Sequence, residues 1–125
     1  MKMNHIGIIT KHIDEDVLLY QRMGYQIICQ VIDTVQMNKI IIVSRNGSPN
    51  IELIEAINDN STVRNFNSGY HHICFEPEQG EDIVTVFNQM KVGKIFTPPI
   101  VATALDCRKV VFACLYNGSF VELIL

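Results

Sequence analysis

The chain of 125 residues carries 13 acidic and 10 basic side chains, a formal net charge of −3, and is 48% hydrophobic but only 18% charged. That length fits one domain with a sizeable core, and an apolar, weakly charged chain is not a disordered one. Basic residues scattered from Lys2 to Lys109 argue against nucleic acid as a partner, and no apolar run approaches the ~20 residues that span a bilayer.

In chain order, a short strand is expected over 5–10. Asp14, Glu15 and Asp16 then suit a helix N-terminus, because they complement its dipole. Val17, Leu18, Tyr20 and Met23 follow at helical spacing, and Gly24 falls where a residue just past the helix end belongs. Strands are expected over 25–31, 37–43 and 51–56, with Asn46-Gly47 as a hairpin-turn signal between the last two. Residues 58–69 form a polar linker. The grammar then repeats: a strand over 72–76, acidic Glu78, Glu81 and Asp82, a helix through Ile83, Val84, Phe87 and Met90, then Gly93. Strands over 94–96, 109–115 and 120–125 close the chain, with Asn117-Gly118 as the matching turn. Residues 97–105, opening with Thr97-Pro98-Pro99, read as the longest loop, placed to lid a cleft.

The repetition extends to individual residues. His5-Ile6-Gly7-Ile8 matches His72-Ile73-Cys74-Phe75, Lys39-Ile40-Ile41-Ile42 matches Lys109-Val110-Val111-Phe112, and Glu52-Leu53-Ile54 matches Glu122-Leu123-Ile124. Order is kept throughout, with the copies about 70 residues apart. The expected fold is α+β: one domain of two tandem βαβββ modules, 1–57 and 70–125 around the linker, forming a curved mixed sheet. Cys29, Cys74, Cys107 and Cys114 show no C-x-x-C pairing and read as reduced thiols. With no signal-peptide pattern at the N-terminus, the expected location is the cytoplasm.

Strand alternation places His5, Gly7 and Ile9 on one face, and Glu52 with Ile54 on one face of their own strand. Two modules related by a pseudo-twofold axis would bring His5, Glu52, His72 and Glu122 to a common centre. Two imidazoles and two carboxylates suit Ni, Co, Mn, Zn or Fe, with positions left for waters or a chelating substrate. A lone histidine opening a strand is usually a surface residue; recurrence of both types in register separates this set from that alternative. His71, by alternation, faces away from His72 and reads as structural, while His12 reads as solvated.

The tandem pattern and the His/Glu/His/Glu order resemble the vicinal oxygen chelate superfamily, which includes glyoxalase I, methylmalonyl-CoA epimerase, extradiol dioxygenases and bleomycin- and fosfomycin-resistance proteins. Asn4-His5-Ile6-Gly7-Ile8, Ile51-Glu52-Leu53-Ile54-Glu55 and Tyr70-His71-His72-Ile73-Cys74-Phe75-Glu76 are most similar to the epimerases. The resemblance implies a glyoxalase-like fold around a metal-binding cleft, a divalent ion (Co, Ni, Mn or Zn) on His5, Glu52, His72 and Glu122, and a homodimer. It implies an isomerase that moves a proton alpha to a thioester or ketone carbonyl through a metal-stabilised enolate, with Glu122 or Glu52 as base and an acyl-CoA as substrate. Epimerases usually carry Gln where this chain has Glu52, whereas glyoxalase I carries Glu. An acidic residue typical of the epimerases' second strand is matched nearest by Gln30, whose amide takes no proton at neutral pH. Gln30 and Asp33 are expected along the cleft wall, and Arg108 is expected to hold a substrate carboxylate or phosphate, or else to stand as an exposed strand-end charge. The alternatives are a glyoxalase I-like lactoylglutathione lyase acting on a 2-oxoaldehyde–thiol adduct, and a metal-free small-molecule-binding protein. Against the lyase, no aromatic segment follows Glu52, where the chain reads Leu53-Ile54-Glu55-Ala56-Ile57.

Overall fold

The computed structural model describes residues 1–125. The elements are β1 (Lys2–Ile9), α1 (Ile13–Arg22), β2 (Gln26–Asp33), β3 (Asn38–Ser44), β4 (Asn50–Ala56), β5 (Gly69–Glu76), α2 (Ile83–Met90), β6 (Gly93–Ile95), β7 (Ile100–Ala102), β8 (Arg108–Leu115) and β9 (Phe120–Ile124), with a 3-10 turn at Thr103–Leu105. The strands build one sheet in the order β2-β3-β4-β1-β5-β9-β8-β6, with β7 also paired to β8. β1 and β5 pair antiparallel at the centre, flanked by parallel β4 and β9 respectively. Neither helix is long and apolar enough to cross a membrane.

Period-2 alternation divides the apolar residues between two faces. Ile41, Val43, Ile51 and Leu53 take Ile13 and Val17 of α1, and Val111, Ala113, Val121 and Leu123 take Ile83 and Phe87 of α2. Asp82 starts α2 by accepting a hydrogen bond from the Val84 amide at 3.2 Å. The opposite face carries Ile40, Ile42, Cys74, Val110 and Ile124, with Ala102 and Leu105 buried against them. This is the expected α+β architecture: a curled mixed sheet with two helices on its outer side.

Two local expectations give way. Residues 97–105 are not all loop: they supply β7 and the Thr103–Leu105 turn, which touches β2 and β3 and so links the two arms of the sheet. Gly24, at φ +91°, does end α1, but after α2 the left-handed position belongs to Lys91, at φ 54°. Gly93 instead opens β6, where a Cβ would run into the backbone of Cys114 and Leu115.

The β1–β5 ladder slips twice. Met3 pairs with Phe75 but His5 with Cys74, which leaves Asn4 as an extra residue; Gly7 pairs with His72 but Ile8 with Tyr70, which leaves His71 extra.

Candidate metal centre

Four adjacent strands each send one ionisable side chain to the inner face: Glu52 from β4, His5 from β1, His72 from β5 and Glu122 from β9. Gly7 lies in register with Glu52 on one side and His72 on the other, while Cys74, opposite His5, lies in register with Glu122. All four are buried, from 0% exposure at His5 to 7% at Glu52. One donor atom from each lies within 4.8 Å of the others. His5 Nε2 is 2.5 Å from Glu52 Oε2, 3.2 Å from Glu122 Oε2 and 3.1 Å from His72 Nε2, and His72 Nε2 is 3.3 Å from Glu122 Oε2.

Buried ionisable groups persist only when they compensate one another or hold a metal. Burial alone would lower the pKa of His5, but Glu52 and Glu122 outweigh it and raise it to about 10. Burial would raise Glu122, yet the imidazoles of His5 and His72 beside it hold it well below the usual carboxylate range. One demand stays unmet: Glu122 Oε2 is buried with no hydrogen-bond partner, since the ring nitrogens 3.2 and 3.3 Å away are not aimed at it as donors.

The residues fit a divalent cation. The orphaned oxygen, two imidazole nitrogens pointing at one another and two carboxylates make a mixed N/O set with the formal charge a divalent ion would balance. Such ions sit about 2.0–2.2 Å from each N or O donor, so neighbouring donors about 3 Å apart are what the site requires. A recess of about 20 Å³, lined by Glu52, His72 and Glu122 together with Asn38 and Ile40, adjoins the cluster. That is room for one small sphere.

Beside the recess a cavity of about 240 Å³ is walled by Phe66, Phe96, Phe112 and Phe120, with His71, Ile100, Gln36, Thr62 and Thr97 among the rest. Four of the chain's six phenylalanines thus stand around one space. His71 corrects its sequence reading: its Nδ1 lies 2.9 Å from His72 Nδ1, and its ring packs edge-on against Phe66. Burial, reinforced by the neighbouring His72, lowers its pKa to about 4 and keeps it neutral. Cys74 lies fully buried in the same face, and burial and then Glu122 push its thiol far up, so it is inert packing.

The other expected wall residues lie elsewhere. Cys29 and Val31 are the β2 residues that pack inward, so Gln30 between them is exposed on the opposite face. Asp33 is buried, but its carboxylate accepts from the Val35 and Gln36 amides at 2.9 and 3.1 Å and closes the β2–β3 turn. Arg108 lines neither space; its guanidinium stands 3.7 Å from Glu76 and its Nε donates to the Leu105 carbonyl. The aromatic wall is not among the sequence expectations, although Phe96, Phe112 and Phe120 lie within the strands expected over 94–96, 109–115 and 120–125.

Known proteins share this fold. A hypothetical protein of Bacillus halodurans superposes with a TM-score of 0.81 at 22% identity, covering 98% of this chain and 92% of that one. Methylmalonyl-CoA epimerase from Mycobacterium tuberculosis gives 0.79 at 16%, covering 98% and 85%. The Streptomyces coelicolor epimerase in complex with 2-nitronate-propionyl-CoA gives 0.79 at 18%, covering 99% and 96%. At these identities the likeness is one of fold. In sequence, mitochondrial methylmalonyl-CoA epimerase of Dictyostelium discoideum is 28% identical over 80 residues, 60% of this chain and 48% of that protein, so the match spans about half the relative's length. The profile of the glyoxalase/bleomycin resistance protein/dioxygenase superfamily runs through residues 4–112, from β1 into β8 and across three of the four cluster residues, and it is to this superfamily that the chain belongs.

Proposed function

We propose that this chain is a divalent-metal-dependent isomerase of the methylmalonyl-CoA epimerase type, moving a proton alpha to a thioester carbonyl. The observation that carries the reading is the buried cluster of His5, Glu52, His72 and Glu122 beside an aromatic-walled cavity. The four side chains would hold the ion, which when bound polarises a carbonyl oxygen and stabilises the negative charge that deprotonation places on it. The chain's own residues do the rest. The phenylalanine wall excludes water from the reacting carbon. Neither space is lined by a carboxylate other than Glu52 and Glu122, so removal and return of the proton fall to these two, one from each half of the sheet.

The same observation favours a second reading. A wall with no free carboxylate also suits a one-base shuttle between neighbouring carbons, as in a glyoxalase I-like lyase, and Glu52 in place of an amide agrees with it. One assay separates the two. Protein stripped of metal, reloaded with Co(II) and incubated with methylmalonyl-CoA in deuterated water should take up one deuteron at the carbon next to the thioester, read by mass spectrometry. No exchange at full metal occupancy would sink the epimerase reading, and lactoylglutathione formation from methylglyoxal and glutathione would replace it with the lyase. Absence of metal uptake would leave a small-molecule-binding protein.

The proposal includes a homodimer. Ile28, Ile32 and Val35 stand exposed along the outer strand β2 and the turn that follows it, an apolar edge of the kind that a second copy covers. Sedimentation equilibrium should give twice the 14.2 kDa chain mass; a single chain mass at micromolar concentration would refute it.

A further inference from the structure

Asn4 and His71 occupy the same place in the two halves of the molecule. Each directly precedes a cluster histidine, and each is the extra residue where the β1–β5 ladder slips. In a regular strand, neighbouring side chains point to opposite faces. A bulge breaks that rule and re-aims the extra side chain. Here it brings both beside the following ring: Asn4 Oδ1 lies 2.8 Å from His5 Nδ1, and His71 Nδ1 lies 2.9 Å from His72 Nδ1.

The proton positions follow from the partners. Asn4 Nδ2 donates to Glu76 Oε2 at 3.0 Å, and a carboxylate only accepts, so the amide is fixed with its oxygen toward His5. Glu76 is in turn held by Lys2 Nζ at 3.2 Å and by Arg108 at 3.7 Å. His5 Nδ1 must therefore donate, and a metal that displaces the Nε2 proton now shared with Glu52 finds the Nε2 lone pair facing the cluster. Between His71 and His72 a single proton serves two ring nitrogens. If His72 is to offer Nε2 to a metal, that proton is on His72 Nδ1 and His71 is the acceptor. His71 then carries its own hydrogen on Nε2, which has no protein partner.

We propose that Asn4 and His71 are twin positioning residues that hold His5 and His72 as Nδ1–H tautomers with Nε2 lone pairs turned to the metal position, His71 acting as the Nε2–H tautomer. The proposal rests on the metal-centre reading. It assigns a task to Arg108, which steadies Asn4 through Glu76, and makes the β5 bulge a device for orienting a ligand. Outer-shell partners of metal-binding histidines matter this way in general: their loss costs roughly 10–100-fold in metal affinity.

The test is long-range proton–nitrogen NMR on histidine-labelled protein loaded with one equivalent of Zn(II). Expected are protons on Nδ1 of His5 and His72 and on Nε2 of His71. Zn(II) bound with the His71 proton on Nδ1 overturns the positioning proposal alone; failure of the wild-type protein to bind Zn(II) overturns this proposal and the metal-centre reading together. Calorimetric titration of variants with Zn(II) gives a second measure. Asn4→Ala and His71→Leu should each weaken binding about 10–100-fold. His71→Asn, which restores an acceptor of the kind Asn4 already supplies, should stay within a few-fold of wild type. Equal losses in His71→Leu and His71→Asn would reduce His71 to packing and overturn its assignment.

Discussion

Replacing His72 with alanine should weaken Co(II) or Zn(II) binding by more than about 100-fold. Loss of an outer-shell partner alone costs roughly 10–100-fold, and His72 contributes a donor atom itself, 3.1 Å from His5 Nε2 and 3.3 Å from Glu122 Oε2. Without it, Glu52 and Glu122 share one imidazole, and the set loses half its nitrogen. The fold should survive, since the β1–β5 and β5–β9 pairings at this position are made by the main chain. In the wild-type protein, free metal at 100 times its dissociation constant should add about 2.7 kcal/mol to unfolding free energy. In His72→Ala at the same metal concentration that increment should fall to about 0.4 kcal/mol or less. Titration calorimetry reads the affinity, and urea unfolding with and without metal reads the increment. Equal increments in the two proteins would mean that the metal binds away from this cluster, and the isomerase proposal would go with it.

The meeting of the four side chains was readable because two independent periodicities coincide. Alternation assigns His5 and Glu52 to a face, and the repeat assigns His72 and Glu122 to the same places in a second unit. The fold class followed from the same patterns, since β-strand and helical spacing switch cleanly at Asp14 and again at Asp82. What stayed hidden depends on phase and on assembly. A one-residue bulge reverses the inward and outward positions, and nothing in the composition of Tyr70-His71-His72 announces one, so simple alternation puts His71 on the wrong side. A further register shift, between Ile27 and Cys29 where β2 meets β3, helps explain why Cys29 and Val31 turn inward and Gln30 does not. β7 was masked by the prolines before it and by a length of only three residues. The aromatic cavity belongs to no single stretch of chain: Phe66 comes from the connection before β5, Phe96 from beyond β6, Phe112 from β8 and Phe120 from β9.

Gly7→Ala should damage the centre even though residue 7 carries no donor. Gly7 and His72 face each other across the β1–β5 pair on the inner side of the sheet. A Cβ built on Gly7 would overlap three atoms of the His72 imidazole, Cε1, Nδ1 and Nε2. The backbone of Gly7 has no need of positive φ, so the substitution strains no dihedral and its cost is steric. The ring has nowhere equivalent to go: His71 stands at its Nδ1, His5 and Glu122 at its Nε2, and Phe112 packs edge-on against it with centroids 5.9 Å apart. Overpacking of this kind costs about 1–3 kcal/mol of stability, and the displaced ring should lower Zn(II) affinity at least about tenfold, as a misplaced ligand does. A double-mutant cycle isolates the cause. In a His72→Ala background the obstructing ring is gone, so Gly7→Ala should there cost nothing measurable in unfolding free energy, giving a coupling of about the full single-mutant penalty. An equal penalty in both backgrounds would place the strain in the backbone rather than against His72.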